Sequence, residues 1–188
     1  LVLSAISLTP ASAEWQAVER IETYAISGNT GLELYTSIGA RGPVAGLGRA
    51  IAHTSFKLTW TRKYEPRNGA CVLSSARPKL IITYVLPKPA RKLSGAVARD
   101  WQRFIDGVLT HEKVHGADIV AMVREIEATS IGLTVADDPK CRKIREELTR
   151  RLALISQAQR QRSRDFDRVE IGAGGNIHQL VLALVNGG

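Results

Sequence analysis

The sequence predicts an α+β domain: a small, mostly antiparallel sheet, followed by an active-site helix and a second long helix. Three observations carry this. Residues 53 to 65, HTSFKLTWTRKYE, alternate apolar and polar side chains with the period of a half-buried strand. From Leu93 to about Ser130 the apolar positions recur helically, through Val97, Trp101, Phe104, Ile105, Val108, Ile119, Met122, Val123 and Ile126. The chain has 188 residues and 44% hydrophobic content, enough for one proper core and too little for two, so residues 14–188 are read as a single domain.

Taken in order, the chain starts with an apolar run that ends in Ala11-Ser12-Ala13, just before Glu14. That small-x-small ending reads as a signal-peptide remnant over residues 1–13 and predicts a periplasmic or secreted protein. The run is too short to span a bilayer and no later stretch is long enough, so the mature chain is expected to have no transmembrane segment. AVERIETYAISG, residues 17 to 28, reads as a strand. TGLELYTSIGARGP reads as a short helix capped by Asn29 or Thr30 and stopped by Gly42-Pro43. In the alternating strand that follows, Phe56, Leu58 and Trp60 share a face, and Asn68-Gly69 signals a turn. CVLSSARPKLIITYVLP resumes as one long or two short strands. After the first long helix, Asp137-Asp138-Pro139 is expected to start the second, with Cys141, Ile144, Leu148, Leu152 and Ile155 inward. The Gly-rich and then apolar tail suggests a last short helix.

A formal net charge of +8 fits a polyanion partner, either nucleic acid or an anionic envelope polymer. No nucleic-acid reading motif accompanies the charge, and the export signature argues against nucleic acid. The two cysteines, Cys71 and Cys141, form one disulfide most often in an oxidising compartment. Free thiols are the alternative; metal ligation is disfavoured by the absence of any Cys-x-x-Cys partner.

The chemistry concentrates in THEKVHGADIV, residues 110 to 120, which contains His-Glu-x-x-His. Two His at i and i+4 lie one above the other on a helix, about 6 Å apart, and both rings reach one tetrahedral ion. Glu112, beside the first His, reaches the water that the metal activates and serves as general base. His111 and His115 also continue the stripe Trp101, Val108 and Met122, so both rings should face the interior. Catalytic zinc usually takes three protein ligands. The metzincin continuation fails, because positions 118 and 121 hold Asp118 and Ala121. Asp118 is better placed to orient His115 than to touch the metal, and a purely structural role facing water is an equal alternative. Glu125, Glu146, Glu147, Asp167, His178 and His53 are the other candidates, and Tyr24, Tyr84 and His178 are unranked candidates for oxyanion stabilisation.

These residues resemble the DUF922 family of predicted secreted zinc-dependent proteases. The similarity covers most of the mature chain: YAISGNTGLELYTSIGARGP, FKLTWTRKY, CVLSSARPKLIITYVLPKP, WQRFIDGVLTHEKVHG, Cys141 and RDFDR, in that order. It implies a zincin-like metallohydrolase domain with Zn2+ on His111 and His115, Glu112 as general base, Cys71 paired with Cys141, and a peptide or protein substrate. The family's C-terminal block has roughly the form Tyr-Asp-x-x-Thr-x-His-Gly. Here Asp167 matches, Phe166 stands at the Tyr, and the Thr and His are not matched. Asp167 is the first choice for third ligand. A non-enzymatic envelope-binding protein on the same scaffold is the rival expectation.

Overall fold

The computed structural model describes residues 15–45 and 48–187, so the expected signal-peptide remnant lies outside the described residues. Among the described residues no helix is long and apolar enough to cross a membrane. The elements are β1 (Val18–Ile26), α1 (Gly31–Arg41), β2 (Val44–Ala45), β3 (Gly48–Arg49), β4 (His53–Arg67), β5 (Ala70–Pro89), α2 (Gly95–Ser130), β6 (Thr134–Val135), α3 (Lys143–Ile171) and α4 (Asn176–Asn186).

The Asn68-Gly69 pair turns the β4–β5 hairpin, with φ of 51° and 80° and Arg67 opposite Ala70. Two successive residues at positive φ are what a two-residue hairpin with right-twisted strands requires, and Asn-Gly supplies them at low cost. β5 is one strand of 20 residues and the axis of the sheet. β4 covers one of its edges; β1 and the two-residue β6 share the other.

The sheet is mixed rather than mostly antiparallel, because β1 runs parallel to β5 from Val18↔Ile81 to Ile26↔Pro89. After β1, the helix α1 and the β2–β3 ribbon lead the chain into β4, which starts beside the end of β1 and runs back antiparallel to it. The hairpin reverses the chain again, and β5 enters between the two. Alternation within a strand reports which face a side chain takes; it carries nothing about the direction of the neighbour.

Thr30 caps α1, its hydroxyl accepting from the Glu33 amide at 3.2 Å, while Glu33 reaches back to the Asn29 amide at 2.6 Å. The second long helix starts later than Asp137-Asp138-Pro139 suggests. Asp137 and Cys141 have φ of 50° and 53°, which no helix accommodates, and α3 begins at Lys143. Asp138 nevertheless caps it, accepting from the amides of Arg142 at 2.8 Å and Ile144 at 2.9 Å. Cys141 is held there by a disulfide to Cys71, with a Cα–Cα distance of 5.2 Å across 70 residues of chain. Closing a loop of that size restricts the unfolded chain by about 4 kcal/mol in the chain-entropy view.

The helices bury one face of the sheet. Leu80, Ile82 and Tyr84 of β5 pack on Ile119, Met122 and Val123 of α2. A separate cluster joins Trp101, Phe104 and Val108 of α2 to α1 and α4. A third surrounds the disulfide with Leu73, Ile144 and Leu148. Along α2, the cluster of Trp101 and Phe104 ends at Val108 and the cluster on β5 begins at Ile119. The His-Glu-x-x-His segment falls in the seam between them. Phe56 departs from the expected inward face: Leu58 and Trp60 are half-buried, but Phe56 is 43% exposed, because a cleft opens where helix would otherwise cover it.

Candidate metal centre

Three elements converge on the seam. α2 contributes His111, Glu112 and His115, all buried. The first residues of β4 and the last turns of α3 form the two walls of a cleft of about 610 Å3. The α3 wall follows from local sequence. Ile144, Leu148, Leu152 and Ile155 form a stripe at spacings of three and four, and the same stripe runs on through Gln159, Ser163 and Asp167. The helix face that packs on α2 at its N-terminal end thus presents polar groups to the histidines at its C-terminal end.

His111 Nε2 lies 3.1 Å from His115 Nε2 and 3.1 Å from Asp167 Oδ1, and His115 Nε2 lies 2.9 Å from the same oxygen. His111, His115 and Asp167 together offer a donor set able to hold a metal ion. Tetrahedral zinc with bonds of about 2.0–2.2 Å separates its ligand atoms by roughly 3.3–3.6 Å. The observed triangle is a few tenths of an ångström tighter than that, well within reach of small side-chain shifts. Three lone-pair-bearing atoms brought this close repel one another unless a proton or a cation lies among them.

The other ring nitrogens both face oxygens of α3. His115 Nδ1 is 3.0 Å from the Ser163 hydroxyl. His111 Nδ1 is buried without a hydrogen-bond partner and faces Glu170 Oε2 at 3.8 Å. A ligating histidine typically donates its far N–H to an oxygen, which fixes ring orientation and tautomer. Phe166 stacks on the His111 ring at 4.7 Å and meets the His115 ring edge-on at 5.4 Å, bracing both. Burial pushes the Asp167 carboxyl up, but hydrogen bonds and charge from His111 and His115 override it and hold Asp167 far below the usual carboxylate range. For His115, burial acts downward and is outweighed by Asp167, with Glu112 and Asp118 adding to the upward shift.

Glu112 lies in the same cleft, and the Thr54 hydroxyl donates to its Oε2 at 2.5 Å. Gly116 matters for packing. A Cβ there would sit 2.1 Å from the Tyr84 hydroxyl, so the glycine lets α2 approach β5 closely.

The other expected residues are placed as follows. Asp118 accepts from Arg162 at 2.8 Å, and it is Ser163 that lies at the His115 ring. Glu125 and Glu146 are exposed, and Glu147 pairs with Arg150 and Arg151. His53 lines the cleft; His178 accepts from the Gly174 amide outside it. Tyr24 donates to the Ile51 carbonyl at 2.6 Å and Tyr84 to Glu19 at 2.7 Å, and neither lines the cleft. Sequence reasoning overlooked Thr54, Ser163 and Glu170, and placed Phe166 only as the residue at the family's Tyr. The α3 stripe was the available signal for Ser163; Thr54 had none, since nothing local distinguishes it from other strand threonines.

Fold and site together define an α+β protein with two buried histidines, a half-buried aspartate and a glutamate in one cleft. The family profile described as "Bacterial protein of unknown function (DUF922)" matches residues 21–175. The chain belongs to that family. No curated protein and no solved structure matches it.

Proposed function

We propose that this protein is an exported zinc-dependent metallohydrolase, a peptidase or amidase. The observation that carries the reading is the triangle of His111 Nε2, His115 Nε2 and Asp167 Oδ1, with edges of 2.9–3.1 Å, opening onto a cleft that Glu112 shares. Two imidazoles and a carboxylate are the donor chemistry of catalytic zinc. Zinc held there supplies Lewis acidity, lowering the pKa of water toward neutrality and polarising a carbonyl.

The chain's own groups do the rest. Glu112 takes the proton of the attacking water and passes it to the leaving amine. Thr54 fixes the Glu112 carboxylate through the hydrogen bond to Oε2 and so leaves Oε1 for that proton. β4 is an edge strand of its sheet, and its first residues line the cleft. Its outer edge, unpaired among the described residues, can bind an extended peptide by strand addition. The Cys71–Cys141 disulfide supports an oxidising compartment such as the periplasm.

Zinc content and hydrolysis of peptide and peptidoglycan-amide substrates, for wild type and Glu112→Gln, test this directly. The variant is expected to keep zinc and lose at least about 100-fold in kcat. Full zinc with activity unchanged by the substitution rules out Glu112 as base.

One observation favours a second reading, a non-enzymatic envelope-binding protein. Phe166 stands where the family block has Tyr, and its ring stacks on His111 with no hydroxyl to offer an oxyanion. On that reading His111→Ala removes zinc, and no hydrolysis exists to be lost.

A further inference from the structure

Of the seven arginines of α3, Arg145 donates to the Cys141 carbonyl and lies over the Tyr64 ring, away from the cleft, and the other six fall into two groups. Arg150 and Arg151 pair with Glu147, Arg162 with Asp118, and Arg168 with Asp165. All four have a carboxylate partner, and none lines the cleft. Arg160 and Arg164 do line it, and neither has a carboxylate partner among the described residues. Arg160 makes no hydrogen bond there at all; Arg164 donates to the Gln161 side-chain oxygen at 2.5 Å. Arg49, on the opposite wall, donates to the Gly42 carbonyl at 2.7 Å and likewise has no carboxylate.

The cleft therefore presents three arginines against two carboxylates, Glu112 and Asp167, both engaged with neighbouring side chains. A divalent ion would make the imbalance larger. Arg160 and Arg164 are one helical turn apart, about 6 Å, on the face that also carries Ser163 and Asp167. Each guanidinium can take one carboxylate bidentately, a geometric preference that a diffuse positive field lacks.

We propose that the cleft selects peptides with acidic side chains and that Arg160 and Arg164 are the groups that read them. The inference rests on the cleft being a peptide site, and its test needs no turnover. Binding of fluorescein-labelled octapeptides is measured by anisotropy on Glu112→Gln protein with zinc added. The probes are an alternating Ala/Glu sequence and its Ala/Gln counterpart. The Ala/Glu peptide is expected to bind about ten-fold more tightly, with a difference that shrinks at high salt. Arg160→Gln combined with Arg164→Gln removes most of that preference, while Arg150→Gln combined with Arg151→Gln, which alters net charge equally, leaves it in place. All four side chains are exposed, and thermal melting checks that both double variants fold. Equal binding of the two peptides, no binding of either, or equal loss in both double variants overturns the proposal. An acidic preference without cleavage by the wild type removes the hydrolase reading and leaves this one standing. Cleavage of acidic and neutral peptides at equal efficiency does the reverse.

Discussion

The two ends of α3 are held by different physics. At the N-terminal end, Cys141 is bonded to Cys71, Asp138 caps the helix, and Ile144 and Leu148 are buried against Leu73 and Leu133. At the C-terminal end, Ser163, Asp167 and Glu170 meet His111 and His115 almost entirely through polar atoms. From Lys143 to Asp167 the helix rises roughly 36 Å, so a rigid element carries an anchor at one end and a donor at the other. The difference teaches that stability and chemistry are separable here. The anchored end needs no metal, and the donor end gives up apolar burial to bring lone pairs together.

The strongest way to break that separation is at the anchor. Cys141→Ser is expected to cost about 4 kcal/mol, read as a lower thermal midpoint, because it releases the loop restriction on the unfolded chain. Zinc affinity of the molecules that remain folded should change little. A parallel collapse of zinc binding at temperatures where circular dichroism still reports folded protein would show that the two ends are one unit.

At the donor end, Asp167→Ala should weaken zinc binding by more than about 100-fold, measured by competition with a chromophoric chelator, since it removes one corner of the triangle. The cost in metal-free stability should be small, as the carboxylate is 42% exposed. Unchanged zinc affinity would move the third ligand elsewhere.

Smaller effects sharpen the picture. Glu170→Ala and Ser163→Ala each remove an oxygen beside a histidine Nδ1, and each should cost about ten-fold in zinc affinity with the ligand count intact. An affinity equal to wild type in both would leave ring orientation to Phe166 alone.

The smallest effect is in pH. In the metal-free protein, His115 is raised, so its contribution to stability is full below the unfolded value of about 6.5 and fades as pH rises through its folded value. Asp167 is depressed, so its contribution is present above about 3.9 and is lost only as pH falls through its much lower folded value. The stability difference between wild type and Asp167→Asn, both metal-free, should therefore be greatest between about pH 4 and 6.5 and shrink as pH rises above that range. Zinc affinity should move the other way over the upper part of that range, because ligation requires His115 to lose its proton. Melting and chelator competition across pH check both trends; a flat profile for either removes the His115–Asp167 coupling.

Much of this arrangement was legible in the chain and some was not. The 36-residue α2, its inward histidines, the Asn68-Gly69 turn and the inward stripe of α3 follow from local periodicity and turn chemistry. The late start of α3 did not, because Asp138-Pro139 looks like a helix start unless Cys141 is known to be held at positive φ. Nor did the parallel course of β1, the exposure of Phe56, or the bond from Thr54 to Glu112.

By itself, then, the sequence determined which residues share a face: His111, Glu112 and His115 in one turn of helix, and Ser163 and Asp167 on the stripe begun by Ile144. Only the tertiary structure decided that these two stripes meet, and that Asp167, 56 residues from His111, is the carboxylate that meets both the His111 and the His115 ring. The physical reason is range. Backbone geometry fixes side-chain direction over three or four residues, whereas a donor triangle with 3 Å edges depends on how whole helices pack, which the disulfide, the caps and three apolar clusters settle together.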